Sequence, residues 1–256
     1  MASEKIVLLA GDWETTPVVY HFLKDHFGVE KVIIEASVPR KEFLKKRAKK
    51  LGWFTVGGQV LFQLLIGKPL NKLSGKRIAA ILRHYGLQKS PIPESEIVHV
   101  SSVNSDDSLK LLHALQPDLV VVHGTRIISK KILGGLSSKF VNIHAGITPR
   151  YRGSHGAYWA LANGDKENCG VTVHLVDAGI DTGNILGQER IAVTARDNFA
   201  TYAWLQLAEG LSILKKVIPQ LLEGNAPTVK NELNSALWHH PTLWGYLYKR
   251  IFGGVK

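Results

Sequence analysis

From Phe140 to Gly183 the chain reads as strand, loop, helix, strand and turn, and this succession limits the folds open to the rest. Phe140-Val141-Asn142-Ile143-His144 has the two-residue period of a β-strand, which puts Asn142 and His144 on one face. Ala145-Gly146 stops the strand, a loop with Pro149 and Gly153 follows, and His155 to Asn163 has a helical pattern. Val171 to Val176 is a second strand, running into the acidic, glycine-rich turn Asp177-Ala178-Gly179-Ile180-Asp181-Thr182-Gly183. Polar side chains at one strand end, with carboxylates at another, are how an open α/β sheet assembles a site.

The flanking sequence has the same rhythm. Ile6 to Ala10 is a buried strand, Thr15 or Thr16 ahead of Pro17 is placed to cap a helix reaching Phe27, and Lys31 to Ala36 is a second strand. This β–α–β start predicts a right-handed crossover and a parallel sheet. Val98-His99-Val100 is a short strand, Asp106 or Asp107 is the expected cap of the next helix, and Pro117 to Val122 is a buried strand. Asn184 to Val193 reads as extended, and Asn198 to Leu222 as a long amphipathic helix. The expected fold is α/β: an open, mainly parallel Rossmann-like sheet flanked by helices. Its domain spans 1–230, followed by an aromatic and basic tail at 231–256.

Residues 37–95 depart from this rhythm. Arg40 to Leu51 is a strongly basic helix, Trp53 to Ile66 is apolar with Gly57-Gly58 as an interruption, and Lys76 to His84 is a third helical piece. The segment reads as a helical insertion without a large core of its own. Ser37 to Ser90 holds thirteen Lys and Arg against the single acid Glu42, a net +12 in a chain of net +11. Charge confined to one segment argues against a nucleic-acid-binding protein, which spreads it over a face. It suits an anionic membrane surface touched by 40–66 and 238–252, or phosphates of a ligand. The competing reading packs the apolar helix on the core and leaves the lysines in water.

The single Cys169 excludes an intrachain disulfide and a Cys-x-x-Cys motif. The N-terminus runs directly into a strand, and no apolar run reaches the ~20 residues of a membrane span. The expected location is the cytoplasm, with peripheral contact at the inner face of the membrane as an option. His144, His155 and His174 lack metal-ligand spacing, so no metal is expected, and His239-His240 reads as surface.

Three motifs in order carry a resemblance: Asn142-x-His144, Pro149-x-Tyr151-Arg152-Gly153, and Gly170-Val171-Thr172 followed by Asp177-x-Gly179-x-Asp181-x-Gly183. Together they resemble the catalytic domain of the folate-dependent formyltransferases, a family of glycinamide ribonucleotide, methionyl-tRNA and amino-sugar enzymes. The resemblance is close from Val103 to Val193 and poor over the insertion and tail. It implies an enzyme that moves a formyl group from 10-formyltetrahydrofolate, as co-substrate, to a primary amine of a small molecule. It gives Asn142 the oxyanion, His144 the stabilisation of the intermediate or a proton relay, and Asp181 the orientation of that imidazole and acceptance of a proton. The side chains have the chemistry for these roles. Asp177 is the rival carboxylate and reads as a turn residue.

The same resemblance places the pterin on backbone of Thr125-Arg126-Ile127-Ile128 and of the segment from Val176 through Asp177 and Ala178 to Asp181. One departure is Gly146-Ile147-Thr148-Pro149, where relatives have Ser-Leu-Leu-Pro, which bears on how pterin or acceptor is held. Gly11-Asp12-Trp13-Glu14-Thr15 replaces the phosphate loop of the ribonucleotide enzymes with acidic sequence. Methionyl-tRNA relatives append a β-barrel where this chain has one helix and a short tail. By elimination the expected acceptor is an amino sugar on a nucleotide or lipid carrier. The alternatives are a formyltetrahydrofolate hydrolase, a methionyl-tRNA-type enzyme, and an inactive membrane-associated scaffold of the same fold. The oligomeric state is left open.

Overall fold

The computed structural model describes residues 4–256. In chain order it forms β1 (Ile6–Gly11), α1 (Thr16–His26), β2 (Lys31–Glu35), α2 (Arg40–Leu51), α3 (Trp53–Phe62), α4 (Lys68–Leu73) and α5 (Gly75–His84). Next come β3 (Ile97–Val100), α6 (Asp106–Leu115), β4 (Leu119–His123), α7 (Lys130–Gly134), β5 (Lys139–His144), β6 (Arg152–Gly153) and α8 (Gly156–Ala162). The chain ends with β7 (Gly170–Leu175), β8 (Ile185–Arg190), α9 (Phe199–Leu222), β9 (Leu237–Trp238) and α10 (Leu243–Gly253).

Seven strands form one sheet in the order β3-β2-β1-β4-β5-β7-β8. β1 to β5 pair with one another in parallel, and β7 is antiparallel to both β5 and β8. The central strands are unbroken apolar runs, as a sheet covered on both faces requires. α6 and α7 cover one face through Leu112 and Ile132. α1, α8 and α9 cover the other, through Val18, Leu23, Ala157, Leu211 and Leu214.

The insertion shares that second core. Phe62 is fully buried and meets Phe199 of α9 edge-on, with ring centres 4.8 Å apart, and Tyr246 of α10 at 5.0 Å. Gly57-Gly58 does not interrupt α3, which continues through a π-helical turn at Gln63–Gly67 into α4. Gly58 is where the Trp244 ring seats itself: a Cβ there would stand 2.2 Å from the indole. Tertiary packing thus overrides the weak intrinsic helix preference of glycine. Arg77 of α5 makes a two-pronged ion pair with buried Asp197, Nε to Oδ1 at 2.8 Å and Nη2 to Oδ2 at 3.0 Å, just ahead of the Asn198 cap of α9.

Two expected caps are corrected. Thr15 makes no capping bond, and the Thr16 hydroxyl donates to the Gly11 carbonyl instead. Ser105, not Asp106 or Asp107, caps α6 by accepting from Ser108 N, leaving the two acids in the first turn, where they favour the helix dipole. The tail is no loose appendage. β9 pairs with β6, and α10 lies on α3. His240 is not a surface residue: its Nδ1 is 2.8 Å from His155 Nε2, and burial, with Arg47 and His239 nearby, lowers its pKa to about 4.

Candidate active site

A cleft of about 550 Å³ opens beyond β4 and β5, between the loop after β4, the turn after β7 and the β6–β9 pair. That volume suits a small-molecule ligand. Asn142 and His144 enter it from one face of β5, as the strand period predicts. Across the antiparallel pair, Asn142 stands opposite His174 and His144 opposite Thr172, which puts His174 on that face too. The Asn142 amide Nδ2 lies 3.2 Å from His174 Nε2, while His174 Nδ1 faces the Leu175 carbonyl at 2.8 Å. A carbonyl can only accept, so His174 carries its hydrogen on Nδ1 and receives the Asn142 amide at Nε2. One amide hydrogen of Asn142 is thereby engaged, and the second is free to point into the cleft.

His144 is buried, with its Nε2 donating to the Tyr151 carbonyl at 2.7 Å and its Nδ1 3.3 Å from Asp181 Oδ1. Asp181 reaches this point from a left-handed backbone, φ +52°, a conformation rare outside glycine and Asn or Asp. Its Oδ2 accepts from Gly153 N at 2.8 Å, and His174 Nε2 lies 3.7 Å from Oδ1. Burial by itself raises the Asp181 carboxyl. The His144 ring and the Gly153 N–H outweigh it and hold the group far below the usual carboxylate range.

The loop motif supplies one tether per residue. The Tyr151 carbonyl fixes His144, Arg152 Nη1 donates to the Ile180 carbonyl at 3.1 Å, and Gly153 N holds Asp181. Gly153 has φ +94°, and a Cβ there would stand 2.3 Å from the Trp238 carbonyl, so the strand pairing that braces the loop needs glycine. Asp177 instead bonds its own turn, accepting from Gly179 N at 3.0 Å and Thr182 Oγ1 at 2.8 Å.

Thr125, Arg126, Ile127, Ile128, Val176 and Asp177 all line the cleft; Ala178 is exposed on the turn and is not among the lining residues. The Arg126 side chain is engaged by the protein itself. Its backbone N–H donates to Glu35 Oε1 at 2.5 Å and its Nη2 to the Ala36 carbonyl at 2.7 Å. Buried Glu35, which also receives Val103 N, is therefore the anchor of this loop. Sequence reasoning passed over both Glu35 and His174. Glu35 lies within the strand read at Lys31 to Ala36. His174 shares its face with Thr172, but only the β5–β7 register reveals that this face meets Asn142.

At the neighbouring crevice between β1 and β4, the Trp13 indole donates to the Gly124 carbonyl at 2.7 Å and covers both Gly11 and Gly124. Among the described residues, no group of three or more His, Cys, Asp or Glu is arranged to hold a metal ion.

Residues 74–218 match the family model described as formyl transferase. Methionyl-tRNA formyltransferases are among the similar sequences. That of Pelotomaculum thermopropionicum is 31% identical over 159 residues, covering 59% of this chain and 50% of that protein. That of Azobacteroides pseudotrichonymphae is 31% identical over 177 residues, covering 66% and 54%. The chain thus spans about half the length of these curated relatives. A sugar N-formyltransferase from Shewanella sp FDAARGOS_354 has a similar fold, with TM-score 0.56, 16% identity, and 91% of this chain and 76% of that one covered. So has glycinamide ribonucleotide transformylase 1 from Symbiobacterium toebii, with TM-score 0.56, 21% identity, and 88% and 90% covered. The family match runs from the insertion's last helix through most of α9, takes in more than half of the chain, and contains Asn142, His144 and Asp181 together, so the chain belongs to the formyl transferase family.

Proposed function

We propose that this protein transfers a formyl group from 10-formyltetrahydrofolate to a primary amine, with Asn142, His144 and Asp181 as its catalytic residues. The observation that carries the reading is the meeting of an amide, an imidazole and a carboxylate whose pKa is lowered by its neighbours in one cleft beside two loops. The cleft suits a flat heterocycle: Val122, Ile127 and Val176 give it apolar walls, and the backbone of 125–128 and 176–181 gives it polar edges. When bound, the donor supplies an activated formyl carbonyl.

The chain's residues supply the rest. The free hydrogen of the Asn142 amide is the donor for an oxyanion, a contribution of about 10²- to 10³-fold in rate. His144 is held by Tyr151 at one nitrogen, so its other nitrogen is restricted to the neighbourhood of Asp181. As the amine bonds to the formyl carbon its proton would pass to this pair, where the carboxylate stabilises positive charge on the ring, and would then be returned to the donor nitrogen as its bond to the formyl carbon breaks. An amino sugar is the acceptor we favour. The exposed Trp13 ring lies over Gly11 and Gly124, where a ribonucleotide phosphate would need a backbone cradle, which counts against that class. A sugar N-formyltransferase is among the enzymes of this fold.

The test is binding of 5-formyltetrahydrofolate by calorimetry, followed by turnover of 10-formyltetrahydrofolate with a panel of carrier-linked amino sugars, read by mass spectrometry. Asn142→Ala, His144→Ala and Asp181→Ala are each expected to lower turnover by about 10²-fold or more without changing the far-UV spectrum. Undiminished turnover in all three variants would refute the assignment. Formate release at the same rate with and without amine would identify a hydrolase instead.

A further inference from the structure

Exposed apolar side chains are gathered on this molecule. Twelve of the fifteen large hydrophobic residues exposed among the described residues lie within 40–73 and 243–253. Trp53 is 69% exposed, Phe54 78%, Ile251 71% and Phe252 75%. The two segments are continuous in space: Phe54 stacks on Trp244 with ring centres 4.4 Å apart. A groove of about 510 Å³ runs between α4 and α10, walled by Leu65, Leu73 and Leu247 with Arg250 and Lys256 also lining it. Solvated monomers rarely gather apolar surface in this way without a use for it.

The charge of the molecule is gathered there as well. Residues 40–73 hold nine Lys and Arg against Glu42, and 243–253 hold Lys249 and Arg250 with no acid, giving +8 and +2 in a chain of net +11. The one acid is occupied by Lys46 at 2.7 Å. Apart from Arg47 and Lys249 these cations are exposed.

We infer that this face docks on an anionic lipid bilayer, its aromatic and aliphatic side chains entering the headgroup layer and its lysines meeting lipid phosphates. Both halves of the pattern are needed. A nucleic acid would use the charge but leave Leu64, Leu65, Ile251 and Phe252 in water. A second copy of the chain would cover the apolar surface but set like charge against like. Phe43 lines both the catalytic cleft and the apolar pocket between α2 and α3, so the docked face borders the cleft mouth. The docking does not depend on the formyl-transfer reading, and its test reads binding alone.

The experiment is co-sedimentation of the full chain at low salt with phosphatidylcholine vesicles and with vesicles one-third phosphatidylglycerol. Binding is expected only to the anionic vesicles, weakening as salt is raised. Two sets of substitutions confined to exposed side chains separate the contributions. Lys45→Ala with Lys46→Ala, Lys49→Ala and Lys50→Ala is expected to weaken binding by about 100-fold or more. Trp53→Ser with Phe54→Ser is expected to weaken it by about tenfold or more, both sets keeping the wild-type far-UV spectrum. Absence of binding to anionic vesicles at low salt overturns the inference, as does equal binding by wild type and both variants. A dimer in sedimentation velocity that the Trp53→Ser, Phe54→Ser variant loses also overturns it, in favour of a second copy.

Discussion

Asp181 is the residue whose setting departs most from the ordinary. Its left-handed backbone and its polar neighbours hold a carboxylate, largely removed from water, in the charged form. Because its pKa is depressed by folding, the unfolded chain binds the proton more readily. The resulting contribution to stability is complete above the unfolded value of about 4, and it is lost as pH falls through the lower folded value. The stability of wild type minus that of Asp181→Asn, from urea denaturation, is therefore expected to be level from neutrality to about pH 5 and to shrink below about pH 4. His174 acts through another residue: it holds one hydrogen of the Asn142 amide and so aims the other. His174→Ala is expected to lower kcat by about 10- to 100-fold with KM for the donor little changed, and His174→Gln, which keeps an acceptor, to recover part of the loss. Asn142, His144 and Asp181 were legible because motif spacing names them. His174 was not, since a partner across antiparallel strands is set by register, which alternation alone does not reveal.

Among the elements, α5 and the N-terminus of α9 are joined by the Arg77–Asp197 pair, whose carboxylate is fully enclosed and also receives Thr194 N at 2.9 Å. Arg77→Ala leaves that carboxylate buried without its cation. The expected cost is about 3 kcal/mol, measured as a shift in the urea midpoint at unchanged slope. Nothing in the sequence paired these two residues, which lie far apart along the chain. The strands were readable from their apolar runs and α9 from its periodicity. The path of 53–73 was not, because Gly58, which reads with Gly57 as a break, is the gap into which Trp244 fits. Helix starts were the least readable feature: Ser105 and Asp106 are both good caps, and only the backbone hydrogen bond distinguishes them.

For the whole molecule, the fold class followed from the alternation of β and α segments, while the packing of 37–95 was not legible from its sequence. Its buried residues Phe62, Ile78 and Ile81 belong to the same core as α9 and α10, with no core of their own. The segregated charge then acts over distance as well as in contact. A molecule with +10 of its +11 in two adjoining segments is a strong electric dipole, and it feels torque from any polyanionic surface about one Debye length away, ~8 Å in physiological salt. On the bilayer docking proposed above, the helical end would turn forward before contact, so collisions would begin already aligned, with the cleft carried in beside the leading edge.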